Sequence, residues 1–546
     1  MATEAIDAGK TARSSVKLDR KVHPFASMIF IAVLCGGLIF AGYNIFSDTR
    51  HVGEPLAVGA FLFLGLALLI ALGFEFVNGF HDTANAVATV IYTHSLPPIA
   101  AVIWSGCWNF IGVILSTGAV AYSIITLLPV DLILQVGSAG GYAMIFALLI
   151  AAVLWNLGTW WLGLPNSSSH ALIGSILGVG LANQLLNSGT AGGTSGVDWT
   201  QAQSVLLTLL VSPIIGFIGA MVLLWLMKRA VPNPALYQEP KGETPPPWGI
   251  RALLVFTCTA VSFAHGGNDG QKGMGLIMLI LIGVAPTAYA LNRTMPDSST
   301  PTFVRTVGDA HTVFVAHAQG FQVAPQQAPV VLTQALRTHQ ADKPQVYAAL
   351  DLVSADIAQQ IKGYGAIAHV PAAATRNLRN QMYLVYDTLR LLTKDQEKAK
   401  ADFPNGDDKK LKAYQGLLEA GTRFIPTWVK ISVALALGLG TMVGWKRIVV
   451  TVGERIGKTH LTYGMGAAAE LMAASTILLA QFKGMPVSTT HILSSGVAGA
   501  MAGNGSGVQV STVRNIALAW ATTLPAAMAI AGVLYVIFLQ IAKALV

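Results

Sequence analysis

Two aspartates and two hydroxyl triplets carry the chemistry this chain could perform. Asp82 lies in Gly79-Phe80-His81-Asp82-Thr83-Ala84-Asn85-Ala86, and Asp269 in Gly266-Gly267-Asn268-Asp269-Gly270-Gln271-Lys272-Gly273. Ser167-Ser168-Ser169 follows Pro165, and Ser488-Thr489-Thr490 follows Pro486; His170 and His491 close the two groups. An aspartate beside apolar sequence can coordinate a cation, carry a proton, or accept a hydrogen bond from a protonated oxyanion. A charge at mid-bilayer costs about 2.5–3.5 kcal/mol, so an intramembrane carboxylate implies function by default. The bland alternative is a carboxylate capping a helix start at the membrane edge. Each hydroxyl triplet opens a short apolar run, where Ser and Thr are natural N-caps. A helix start also presents free N–H groups and a positive dipole end, which suits an anion. Plain capping, or back-bonding to the helix, is the competing account of these hydroxyls.

The elements that position these residues follow from composition. The chain has 546 residues, 53% hydrophobic and only 11% charged. A soluble domain carries about 25% charged residues. Apolar runs near the ~20 residues needed to span a bilayer recur along the sequence. They lie near 25–46, 55–80, 99–125, 142–162, 203–227, 250–264, 273–291, 428–445, 462–481 and 511–542. They are continuous rather than alternating, which excludes an outer-membrane barrel. The chain reads as an all-α polytopic membrane protein. Runs near 83–93, 168–185 and 489–502 are too short or too polar to span, and read as half-helices or re-entrant hairpins.

The formal charge of +8 fits Lys and Arg in cytoplasmic loops; no basic, aromatic-interleaved stretch suggests nucleic acid. Cys35, Cys107 and Cys258 all fall in apolar runs and read as packing residues. The basic tail with Lys10, Arg13, Lys17, Arg20 and Lys21 precedes a run too long for a signal peptide, so 25–46 reads as a retained helix behind a cytoplasmic tail.

The two aspartate motifs are offset by 187 residues and the two Pro-hydroxyl motifs by 321. The difference, 134, nearly equals a polar stretch at 292–426. The chain therefore contains two homologous halves, and the polar stretch is inserted in the second. The organisation reads as 1–54 tail and extra helix, 55–228 first repeat, 229–249 connector, 250–291 start of the second repeat, 292–426 insert and 427–546 its remainder. Met382, Val385, Leu389 and Leu392 form one helical stripe, so the insert reads as a small helical domain outside the bilayer. Duplicated halves with interrupted polar segments at matching places point to a transporter site at the repeat interface.

Around the motifs, His81, His170 and His491 could relay protons, although a membrane histidine is commonly structural. Lys272 can pair with Asp269 or meet substrate. Glu75 and Glu470 fall in apolar runs and have no evident twins. Gly453–Thr459 imitates the end of a P-loop, but Val452 stands where its first glycine belongs. Lys446, Arg447, Arg455 and Lys458 mark that loop as cytoplasmic.

At Asn78–Ala88, Gly163–Gly174, His265–Gly275 and Gly484–Ser495 the sequence resembles the PiT family of inorganic phosphate transporters, over nearly all the membrane part. The run Phe80–Ala88 and the large insert resemble its bacterial low-affinity branch. The resemblance implies a symporter with two inverted repeats, broken helices and re-entrant hairpins in the cell inner membrane, moving phosphate inward. In that branch the coupling ion is usually a proton, and the cargo is often phosphate complexed with a divalent metal such as Mg2+; other relatives use sodium. It implies no cofactor. Phosphate contacts by family pattern fall on Asp82, Thr83, Asn85, Ser167, Ser168, Ser169, Asn268, Asp269, Ser488, Thr489 and Thr490. Coupling-ion candidates are Asp82, Asp269, His81, Lys272, Glu75 and Glu470. The family often shows Gly-Ala-Asn-Asp, where this chain has Gly79-Phe80-His81-Asp82, and Lys272 stands opposite Asn85.

Three classes of function compete. A proton-coupled phosphate symporter, with sodium as the nearest variant, uses every motif. An intramembrane hydrolase could draw on Ser167–His170 or Ser488–His491, but needs one nucleophile and one base, not a doubled constellation. A passive anion channel would not need broken-helix repeats. Homo-oligomerisation stays open at this level.

Overall fold

The computed structural model describes residues 18, 24–53, 56–128, 130–134, 137–187, 197, 199–240, 242 and 244–545; within helices, the side chains of 83–85, 130, 131, 200 and 545 are outside the description. The basic residues at 10–21 therefore lie outside the described residues. The longer helices are α1 Pro24–His51, α2 Val58–Tyr92, α3 Pro98–Ile114, α4 Ala119–Ile125, α5 Ala139–Trp161, α6 Ser168–Leu186, α7 Trp199–Ala230 and α8 Trp248–Val284. The insert holds α9 Thr300–Ala318, α10 Ala328–Thr338, α11 Pro344–Tyr364, α12 Ala372–Thr393 and α13 Asp407–Thr422. The chain closes with α14 Thr427–Thr441, α15 Tyr463–Phe482, α16 Thr489–Asn504 and α17 Val510–Leu545. Among the described residues, eight helices are long and apolar enough to cross a membrane, or up to ten if two sharply bent pairs, α3–α4 and α13–α14, each count as one. This is a multi-pass, all-helical membrane protein.

One expectation is corrected. The runs 55–80 and 83–93 fuse into the 35-residue α2, and 250–264 joins 273–291 up to Val284 in the 37-residue α8. Asp82 and Asp269 thus stand inside continuous helices, neither in breaks nor at helix starts, so the capping account fails for both. The glycines around them serve close approach, since small residues let membrane helices pack backbone to backbone. A Cβ on Gly79 would strike the Leu437 carbonyl, and one on Gly440 the Phe76 carbonyl. In the other half, a Cβ on Gly266 would strike the Asn109 carbonyl, and one on Gly112 the Phe263 carbonyl. Gly266 and Phe263 lie 187 residues after Gly79 and Phe76, so the two crossings are repeat equivalents. Gly178 against the Met528 carbonyl, and Gly499 against the Phe217 carbonyl, form a second such pair. In each pair a helix of one repeat clasps a helix of the other: α2 with α14, α8 with α3, α6 with α17, α16 with α7.

Gly112→Ala is therefore expected to destabilise the protein by about 1–3 kcal/mol through overpacking against backbone. Gly158→Ala in α5, where a Cβ meets nothing, should be neutral or stabilising by up to about 1 kcal/mol, because Ala is the better helix former. Thermal unfolding in detergent compares the two, and equal midpoints would refute the crossing argument.

Helices α2 and α8 run in opposite directions. The N-terminal approach to α2 and the C-terminal end of α8 meet near the insert, where the Asp48 carboxylate accepts from Tyr289 and Trp428. The other ends of α2 and α8 meet at the far side, where Tyr92 donates to Glu454 and Arg251 to the Ser95 carbonyl. Helices α6 and α16 start face to face and run to opposite ends; α16 is shorter than a span, but α6, expected to be too short or too polar to cross, is one of the eight described helices long and apolar enough to do so. Asn183 near the end of α6 accepts from Tyr535, and Asn504 at the end of α16 accepts from Lys228.

The insert has its own core, with Phe303, Phe314, Leu350, Met382, Val385, Leu389 and Tyr414 buried, while Leu392 packs at its edge. It docks on the membrane part through Arg379 and Asn380, which donate to the Ile133 and Leu134 carbonyls at 3.2 Å each. The Arg423 guanidinium lies 5.1 Å from the Tyr122 ring. Burial pushes the Arg379 pKa down to about 10, still well above neutrality, so the contact stays cationic. Cys258 is buried, Cys35 and Cys107 are exposed, and all three are free thiols.

Candidate functional site

The site forms where the middles of α2 and α8 meet the starts of α6 and α16. Helix α6 begins after Pro165, and Ser167 caps it, accepting the His170 N–H at 3.2 Å. Helix α16 begins after Pro486, and Ser488 accepts the His491 N–H at 3.1 Å. Each triplet thus divides its labour: the first hydroxyl caps the helix, and the next two face the centre. Ser168 Oγ lies 2.7 Å from both Asp82 Oδ2 and Asn78 Oδ1. Thr490 donates to Asp82 Oδ1 at 2.5 Å. Ser169 donates to the Val487 carbonyl at 2.8 Å, tying one helix start to the other. The His170 and His491 rings are tilted by 36° with centroids 4.4 Å apart, and His491 stacks on Trp520 at 4.0 Å.

On α8, Asp269 Oδ1 pairs with Lys272 Nζ at 2.7 Å, and His265 Nε2 lies 3.5 Å from Asp269 Oδ2. Lys272 also donates to Ser169 Oγ across the repeat boundary. His81 Nδ1 lies 3.4 Å from Asp82, with its other nitrogen 3.3 Å from Thr159 Oγ1. Asp82, His265 and Asp269 each bring one ligand atom into a group whose members all lie within 4.8 Å of one another, and all three are buried. Two carboxylates and one imidazole at that spacing form a donor set suited to a divalent ion. Asn268 donates to the Met485 carbonyl at 3.3 Å. Its Oδ1 and the Thr489 hydroxyl are buried without a hydrogen-bond partner among the described residues. Buried polar atoms are normally paired; the Thr489 hydroxyl can donate to an oxyanion, whereas the Asn268 amide oxygen can only accept, as from a protonated oxygen.

Two further carboxylates flank this centre. Glu75 precedes Asp82 by seven residues on α2, fully buried, with Asn78 Nδ2 at 3.4 Å from Oε2. Glu470, also fully buried, accepts from Thr89 and from Thr257. Thr89 follows Asp82 by seven residues, so the two glutamates bracket the aspartates by about 10 Å each way along α2. Thr83 and Asn85 lie outside the residues whose side chains are described.

Reading the sequence residue by residue passes over Asn78, His265 and Asn109. His265 Nδ1 lies 2.7 Å from Asn109 Oδ1. Asn78 and His265 each stand four residues before an aspartate, one helical turn away on the same face, and they are 187 apart. That shared offset is the signal that could have found them.

The family described as PHO4, phosphate transporter family, matches residues 78–531. The chain belongs to this family. The low-affinity inorganic phosphate transporter PitB of Escherichia coli K12 is 40% identical over 510 residues, covering 89% of this chain and 99% of that protein. PitA of the same strain is 40% identical over 511 residues, with the same coverage. A probable low-affinity inorganic phosphate transporter of Bacillus subtilis is 27% identical over 473 residues. A solved chain titled the sodium-dependent phosphate transporter shares 20% identity at a TM-score of 0.47, covering 88% of this chain and 99% of that one. The protein is an inorganic phosphate transporter of the PiT type, and its chemistry is transport rather than catalysis.

Proposed function

We propose that this transporter imports phosphate as a complex with a divalent metal, coupled to protons, by alternating access between two inverted repeats. The buried group of Asp82, His265 and Asp269 is the single observation that carries the metal-phosphate part. The metal of the cargo sits on these three side chains, and its phosphate lies against the α6 and α16 starts. Ser168, Ser169, Thr489, Thr490 and Asn268 then contact phosphate oxygens. The two N-termini supply dipoles rather than a fixed counter-charge, which holds an anion yet lets it leave. Ser167 and Ser488 support this cradle as caps.

Glu75 and Glu470 bracket the site along the membrane axis and serve as the proton stations, with His81 between hydroxyl and aspartate as a relay. The opposed directions of α2 and α8 support inversion of the repeats. Glycine crossings in which each repeat clasps the other support rocking of one against the other around a fixed site. Lys228, Arg229, Arg251, Lys446, Arg447, Arg455 and Lys458 gather at the end opposite the insert. The positive-inside rule then places that end in the cytoplasm and residues 292–426 outside.

The deciding experiment is labelled-phosphate uptake into proteoliposomes, with proton and sodium gradients imposed separately. Proton-driven uptake that rises with added magnesium is the expected result. Uptake driven by sodium alone would keep the phosphate site and overturn the proton assignment. Uptake without any gradient would return the channel reading.

A further inference from the structure

The two halves of the site neutralise their aspartates differently. Asp82 receives the hydroxyls of Ser168 and Thr490. Asp269 receives an ammonium: Lys272 Nζ lies 2.7 Å from Oδ1, both side chains are wholly buried, and the same nitrogen donates to Ser169 of the other repeat. The position that corresponds to Lys272 in the first repeat is Asn85. A primary ammonium and a monovalent metal ion are interchangeable in one respect: each brings a single positive charge to a cage of oxygens. A lysine brings it without exchange with solvent, on a four-carbon stem anchored in the helix.

We propose that Lys272 is a tethered cation standing in for a mobile one, filling from within the chain the place between the Asp269 and Ser169 oxygens. This rests on the reading of the site as a phosphate cradle and deepens it. The consequence is an asymmetric charge count. Asp269 keeps the Lys272 counter-charge throughout the cycle, with or without the cargo metal that it shares with Asp82 and His265. The transporter then needs one mobile cation fewer per phosphate than a symmetric site would, and the ammonium holds positive charge at the α6 start whether or not cargo is bound. An unpaired carboxylate buried here would be strongly unfavourable, so removing the ammonium must either unfold the site or open it to a cation from solution.

The test is Lys272→Asn, which installs the side chain of the equivalent position, beside the charge-removed pair Asp269→Asn/Lys272→Asn. Proteoliposomes receive labelled inorganic phosphate with magnesium under a proton gradient, at constant ionic strength in choline, lithium or sodium chloride. Wild-type uptake is expected to be equal in the three salts. Lys272→Asn should lose on the order of ten-fold or more in choline, the scale of a lost charged hydrogen bond, and recover most of it in sodium or lithium. The double variant, lacking the carboxylate, should show no stimulation by either ion. Lys272→Asn protein that is folded by size exclusion but responds alike to all three salts, whether active or dead, overturns the proposal. Lys272→Asn protein that does not fold sends the test to Lys272→Gln under the same salts, and the same uniform response overturns it. Wild-type protein that transports no phosphate in any salt refutes the proposed cargo instead, and a sodium requirement in wild type refutes the proton coupling; the two failures are distinguishable from failure of the tethered cation.

Discussion

Asp82→Asn and Asp269→Asn should each reduce phosphate uptake on the order of a hundredfold or more while the protein still reaches the membrane. The magnitude follows from breaking a buried charged cluster, where loss of one partner costs about 3–5 kcal/mol. The two variants should differ in stability. Asp82 is bonded through separate oxygens to the Ser168 and Thr490 hydroxyls; an asparagine can accept from Thr490 through Oδ1 and donate to Ser168 through Nδ2, leaving the Ser168 proton for Asn78 Oδ1, so Asp82→Asn should unfold near the wild-type temperature. Asp269→Asn leaves the Lys272 ammonium buried without its carboxylate, and its unfolding midpoint should fall by several degrees. Uptake by right-side-out vesicles together with detergent thermal unfolding reads both effects. Wild-type rates in both variants would sink the site assignment. Equal midpoints would sink the ion-pair argument alone.

Withdrawing divalent metal should lower uptake on the order of ten-fold, and magnesium should restore it. The structural reason is the cluster of Asp82, His265 and Asp269, which gathers two carboxylates from opposite repeats at a spacing that mutual repulsion disfavours unless a cation lies between them. Lys272 offsets part of that repulsion on the Asp269 side. His265→Ala should therefore raise the magnesium concentration giving half-maximal uptake by about 10–100-fold, the scale on which metal-site residues act, and leave maximal uptake at saturating magnesium less affected. Titration of uptake with magnesium after chelation makes the measurement. A curve for His265→Ala that overlays the wild type would remove the histidine from the site, and uptake indifferent to chelation would mean that phosphate travels without metal.

The sequence by itself determined a great deal here. An apolar fraction of 53% with 11% charge leaves no solution but membrane helices. Two motif pairs whose offsets, 187 and 321, differ by nearly the length of 292–426 point to a duplication with an insert in its second half. Pro, one further residue and three hydroxyls mark a helix start, because the rules of capping are local: Ser167 and Ser488 bond to N–H groups three residues on. The aspartates stood out as candidates because burying a carboxylate in lipid is costly wherever it sits in the chain.

What the tertiary structure decided is everything that depends on which segments meet. Glycine-rich sequence around Asp82 and Asp269 reads as a break, since glycine is a poor helix former. Packing reverses this: those glycines let α2 and α8 press against α14 and α3 backbone to backbone, and the helices run on unbroken. Periodicity cannot show that Asp82 and Asp269, 187 residues apart, converge on His265, nor that Ser168 and Thr490 reach the same carboxylate from helices in different repeats. It cannot show that Lys272 crosses the repeat boundary to Ser169. Glu75 and Glu470 have no twins in sequence, yet they bracket the centre, because α2 is common to both neighbourhoods. Local chemistry is written in consecutive residues. The site is assembled from four segments whose distances are set only when the two halves clasp.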